Sequence, residues 1–159
     1  MNGKLKHLLK LSLAVMLGGA LGALLRVLVA VLIHGDAGEI SRIEVKGYFP
    51  FATLIVNIVG SFGLGYVVAR FAQLQLQNGS PSETIFLCVG TGFFGALTTF
   101  SAFVYEVKVL VTSPVPVYAE AAALWAALAL LAHLVGGVLV AALGYLVASR
   151  RFVKASLSE

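Results

Sequence analysis

Thr53, Asn57 and Ser61 stand four residues apart in an otherwise apolar run. On a helix those intervals bring the three side chains to one narrow stripe. Two hydroxyls and a carboxamide then offer donors and acceptors, and the amide alone carries two donors. Lipid cannot satisfy such groups, so the stripe must face protein or a wet path. Two uses fit it: bonding between helices, which is the commoner, or lining a route for a polar solute. A second stretch, VGTGFFGALTTFSAFVYE from Val89 to Glu106, carries Gly90, Gly92 and Gly95 and then Thr98, Thr99 and Ser101. Glycine weakens a helix, and the hydroxyls offer its backbone rival hydrogen bonds. A helix interrupted there inside a bilayer frees carbonyls and amides. Such backbone is tolerated only where protein buries it or where it lines a cavity or ion site. A Gly/Thr-rich helix packed closely on a neighbour is the alternative. Phe100 and Phe103 follow on one helical face.

Other reactive groups are sparse. Arg26 interrupts an apolar run, where an arginine costs about 2.5–3.5 kcal/mol on insertion scales. It must snorkel to the interface or face a wet cavity that accepts anions. His133 is alone among alanines and leucines, a setting that favours a satisfied packing residue over a ligand or proton carrier. Glu106 and Lys108 read as interfacial. The single cysteine, Cys88, has no partner for an internal disulfide, and no Cys/His cluster has metal-ligand spacing. With no nucleotide motif and no nucleophile–base pair, an enzyme is not expected.

The elements that must hold these groups follow from composition. Of 159 residues, 60% are hydrophobic and 11% charged, and the mean hydropathy is +0.99. Soluble domains are not this apolar, so the chain is an all-α integral membrane protein. One transmembrane domain over residues 1–159 is expected, with four spans near 11–33, 49–71, 83–111 and 117–148. In the first span, Gly18 with Gly22 and Gly19 with Ala23 form a small-residue face for close helix contact. Pro50 stands in the first turn of the second, where its missing donor matters least. His34 to Tyr48, Ala72 to Ser82 and Ser113 to Pro116 read as connections.

The formal charge of +4 gathers near the ends of the chain, a signal for anionic lipid and not for nucleic acid. Four spans place both termini on one side. That side carries seven basic residues (Lys4, Lys6, Lys10, Arg70, Arg150, Arg151, Lys154) and the other three (Arg42, Lys46, Lys108), which favours cytoplasmic termini.

Three stretches together resemble the Fluc family of fluoride channels: GGALGALLR (Gly18 to Arg26), PFATLIVNIVGSFGLG (Pro50 to Gly65) and GFFGALTTFSAFVYE (Gly92 to Glu106). The resemblance implies a four-helix subunit, with its third helix broken at mid-membrane, that pairs antiparallel with an identical copy around two narrow anion pores. It implies a structural sodium ion on the carbonyls of Gly95 and Thr98. It places Phe100 and Phe103 along the fluoride path, with Asn57, Thr53, Arg26 and Glu106 matching further family positions, and Ser61, a donor on the same stripe, is expected to line the path beside them. Ala52, Ala96, Val104 and His133 depart from the family's pattern, which commonly has serine near the last. The expected function is passive export of fluoride across the plasma (inner) membrane of a prokaryote. Two rivals fit a small four-span chain: a proton-coupled exporter of cationic drugs and a non-transporting scaffold. The exporter needs a carboxylate deep in the first span, and that span holds Arg26 and no acid.

Overall fold

The computed structural model describes residues 2–34, 49–77, 82–112 and 120–156, with the side chains of all but His34 and residues 151–156 among them. Expected features at 35–48, 78–81 and 113–119 (including Arg42 and Lys46), the Arg151 and Lys154 side chains, and residues 157–159 lie outside what is described.

Every described element is a helix. They are α1 (Gly3–His34), α2 (Phe51–Leu76), α3 (Glu83–Phe86), a π-helical segment (Leu87–Phe94), α4 (Gly95–Leu97), α5 (Ser101–Val111) and α6 (Ala122–Ser156). Four helical stretches are long and apolar enough to cross a membrane: Gly3–Ile33, Phe51–Leu76, Glu83–Val111 and Ala122–Arg150. The helices outrun the apolar spans. Lys4, Lys6 and Lys10 lie exposed within α1, because lysine is a good helix former and its stem reaches water from the interface. Ser82 caps α3, accepting from the Ile85 amide at 3.3 Å, and Glu83 in the first turn complements the helix dipole.

Packing is made by glycines. α1 lies along the π-helical segment and α2 along α6, with α5 also against α6. In the first crossing, Gly18 abuts the Cys88 carbonyl, Gly22 the Phe93 carbonyl, and Gly92 answers against Val15. In the second, Gly65 abuts the Ala141 carbonyl and Gly144 the Phe62 carbonyl. Each is backbone against backbone, the approach that small residues permit and that lets dispersion hold helices together in lipid. Gly18 and Gly22 thus do what their spacing predicts; Gly19 and Ala23 are only half-buried beside them.

The compact interior is small: Phe49, Leu110 and Ala129, flanked by Leu54, Val107 and Trp125. Large aliphatic side chains point outward instead, Leu17 and Leu24 each being 66% exposed. In water that surface would be an aggregation liability; in a bilayer it is the ordinary lipid face. This is a multi-pass membrane protein.

Because the obstacles at Gly22 and Gly144 are backbone atoms, a larger residue there must push two helices apart. Gly22→Val and Gly144→Val should each destabilise the fold by about 1–3 kcal/mol or more, read as a lower thermal midpoint and loss of the monodisperse peak in detergent. Gly3→Ala, whose surroundings are open, should leave both unchanged.

Candidate functional site

The third span is not one helix. Its glycine-rich first half widens into the π-helical segment, a form that is rare and frequent at functional sites. α4 then ends at Leu97, Thr98 takes up extended backbone (φ −77°, ψ 154°), and α5 begins at Ser101. The two readings of this stretch divide along it. The glycines at 90 and 92 are buried and serve close packing, whereas the hydroxyls at 98–101 accompany the interruption.

Side chains complete the hydrogen bonds that the backbone gives up there. The Thr99 amide, whose helical acceptor would be Gly95, donates instead to Asn57 Oδ1 at 2.8 Å. Asn57 Nδ2 returns a hydrogen to the Thr99 carbonyl at 3.0 Å. One carboxamide therefore satisfies both polar groups of one peptide residue, as a strand neighbour would. Further along, the Ala102 amide, whose helical acceptor would be Thr98, donates to Thr99 Oγ1 at 3.3 Å. Thr98 keeps to the preceding turn: its amide and its hydroxyl both donate to the Phe94 carbonyl, at 3.1 and 3.0 Å. The carbonyls of Gly95 and Thr98 have thus both been relieved of their regular helical donors. Carbonyl oxygens so released are hard, partly negative ligands, the type that suits a small cation.

Asn57, the middle member of the α2 stripe, reaches this junction, and its two neighbours reach other elements. Thr53, one turn before Asn57, is buried and donates to Glu106 Oε1 at 2.6 Å, a short bond. Glu106 is therefore drawn onto α2 and does not simply mark the interface. Ser61, one turn after Asn57, lies beside Gly137 of α6. Gly60, on the same stretch of α2, abuts the Thr98 methyl. Arg26 is half-buried on α1, one turn beyond Gly22, which abuts the Phe93 carbonyl and the Leu97 amide, so it lies on the face turned towards the junction.

Phe100 and Phe103 meet edge to face, with centroids 5.8 Å apart and planes at 61°. Their settings differ sharply. Phe103 is 1% exposed and Phe100 68%, so one ring is fixed in the subunit and the other stands on its surface. Phe103 also stacks on His133 at 4.2 Å and 21°.

Two participants were not singled out by spacing. Thr99 is the hub of the junction, and its signal was the hydroxyl three residues before Ala102, a helix-start pattern. His133 joins the aromatic group through a tertiary contact that no local pattern encodes.

Comparison with known proteins gives the family. Residues 13–145 match the family described as CrcB-like protein, Camphor Resistance (CrcB). Fluoride-specific ion channel FluC 2 of Moorella thermoacetica is 37% identical over 108 residues, 68% of this chain and 78% of that protein. Fluoride-specific ion channel FluC of Chlorobium chlorochromatii is 39% identical over 102 residues, 63% of this chain and 69% of that protein. Fluoride-specific ion channel FluC 1 of Carboxydothermus hydrogenoformans is 44% identical over 61 residues, which span only 38% of this chain and 42% of that protein.

Asn57→Ala removes both bonds to Thr99 and leaves a peptide unsatisfied where water is scarce. A cost of about 1–3 kcal/mol is expected, with faster hydrogen exchange confined to the Thr98–Ala102 amides and no change along α6.

Proposed function

The chain belongs to the CrcB-like family, and from that premise we propose that it is a passive, fluoride-selective channel that exports fluoride from the cytoplasm. It is a transport protein and not an enzyme. The observation that carries the reading is its similarity to the fluoride-specific ion channel of Moorella thermoacetica, which extends over 68% of this chain.

The residues supply what a fluoride path requires. Fluoride is small and strongly hydrated, so a narrow path must replace its water with hydrogen-bond donors. The second Nδ2 hydrogen of Asn57 and the hydroxyl of Ser61 are such donors on one stripe, while Thr53, whose single hydrogen goes to Glu106, lines the same stripe. The edge of an aromatic ring is electropositive, and Phe100 and Phe103 are the rings available to meet an anion edge-on. Arg26, on the face turned to the junction, adds attractive charge. Glu106 takes the Thr53 hydrogen, so that hydroxyl meets an anion only by exchanging this bond. The driving force is the membrane potential, about 2.3 kcal/mol per charge per 100 mV. Fluoride that enters as neutral HF and ionises in a more alkaline cytoplasm is thereby expelled, with no energy-coupling module.

The functional unit in this reading is an antiparallel homodimer. Phe100 is the residue that most favours it, since a pathway ring 68% exposed on one subunit needs a second surface to complete its surroundings. A structural sodium ion belongs to the same unit. The Gly95 and Thr98 carbonyls fit it, because the bonds made by Asn57 and Thr99 relieve both of their helical donors. Two copies would bring four such oxygens together, and the ion would supply positive charge that holds the two junctions.

Purified protein in liposomes loaded with fluoride, with a potassium ionophore to carry countercharge, tests the channel. Rapid fluoride release with little chloride release is expected, and no release from well-incorporated protein would overturn the reading. Phe100→Ile should lower the rate by about tenfold or more, a loss on the order of 1.4 kcal/mol, while the fold of each subunit is kept, because that side chain packs little within its own subunit. Exchange of sodium for a bulky organic cation should destabilise the protein by about 2.7 kcal/mol at a hundredfold excess over Kd, seen as a lower thermal midpoint. An unchanged midpoint would remove the ion at Gly95 and Thr98.

A further inference from the structure

His133 is buried and half-satisfied. Its ring is 7% exposed, and Nδ1 lies 2.8 Å from the Ala129 carbonyl. A carbonyl only accepts, so Nδ1 holds the hydrogen, and in the neutral ring Nε2 is left as a bare lone pair. That nitrogen is buried and has no hydrogen-bond partner among the described residues. A histidine placed only to pack would be expected to have both nitrogens matched, or the unmatched one in contact with water.

Its position is the second observation. Residue numbers rise together along α2 and α6, with Ile58 beside Gly136, Ser61 beside Gly137 and Gly65 beside Ala141. One turn back along each helix stand Asn57 and His133, so the imidazole is level with the amide that holds the junction. Its face lies on Phe103. An imidazolium on an aromatic face is attracted to the ring, so the contact that holds the neutral ring also accommodates the charged one. Few charges surround it. α2 carries no acid, lysine or histidine, and its Tyr66 and Arg70 lie at least two turns beyond the level of Asn57. On α5 the ionisable groups are Tyr105, Glu106 and Lys108, of which Glu106 follows Phe103 by three residues and shares its face. α6 has none within two turns of His133 on either side.

Resting on the channel reading above, we propose that His133 is a proton-dependent anion contact. A proton taken up at Nε2 turns an acceptor that repels fluoride into a donor that binds it, so conduction rises as the medium becomes more acid. Nothing is oxidised or reduced: the proton comes from water and returns to it when the fluoride leaves. The device would open the path under the acid conditions in which HF enters.

The test is the fluoride release assay run at about pH 7, 6 and 5, with the leak of protein-free vesicles subtracted at each pH because HF itself crosses lipid. The wild-type rate should rise on the order of fivefold to tenfold from the highest to the lowest pH. His133→Gln and His133→Asn, which keep a fixed polar group and cannot take up a proton, should conduct with a flat profile. A flat wild-type profile overturns the proposal while leaving the channel intact, whether or not the variants fold. An equal slope in either folded variant also overturns it, and assigns the slope elsewhere. No release at any pH removes the channel reading and this inference together.

Discussion

Backbone polar groups cannot be left bare in hydrocarbon, and the pairing of the Asn57 carboxamide with the two polar groups of Thr99 is how this chain meets that constraint where its third span is interrupted. A hydroxyl at position 57 could have met one group; only a planar amide presents a donor and an acceptor with the spacing of a peptide. The substitution of side-chain for main-chain partners propagates. With Thr99 committed to α2, Gly95 loses a donor, and with Thr99 Oγ1 serving Ala102, so does Thr98. Two carbonyls lose their regular helical donors to bonds made elsewhere.

Such an arrangement needs rigid walls. These come from backbone-to-backbone crossings, Gly18 and Gly22 on the π-helical segment and Gly65 with Gly144 between α2 and α6. Neither crossing depends on a large apolar core, and the subunit hardly has one. Side-chain volume is spent outward, towards lipid, while the interior is given over to close approach and to a few polar contacts. The Thr53–Glu106 bond and the Phe103–His133 stack tie α5 to α2 and α6 on the two sides of the junction. The α2 stripe, a carboxyl group and the Phe103 ring are thereby held at fixed positions relative to one another.

That economy bears on mechanism. A channel for a small anion has to remove water without trapping the ion, which calls for several weak donors in sequence and no single strong site. Hydroxyl, amide and ring edge are weak donors of this kind. In the proposed path Arg26 and a protonated His133 are stronger, and the second is constrained by the need to take up a proton. Conduction would then be graded by whether His133 carries a proton.

Periodicity alone reached the membrane class, the four apolar stretches, the α2 stripe and the small-residue face at Gly18 and Gly22, because hydropathy and helical spacing are local properties of the chain. It also located the stretch from Val89 to Glu106 as the one able to leave the helix. It did not separate the packing glycines from the interrupting hydroxyls, since both lower helix stability to a similar degree. Only the tertiary structure decided that Asn57 bonds to Thr99, that Glu106 is held by Thr53, and that His133 lies on Phe103. Each joins residues 30 or more positions apart, and such partners are chosen by how the helices cross, which depends on backbone approach at a handful of glycines and not on any pattern within one span.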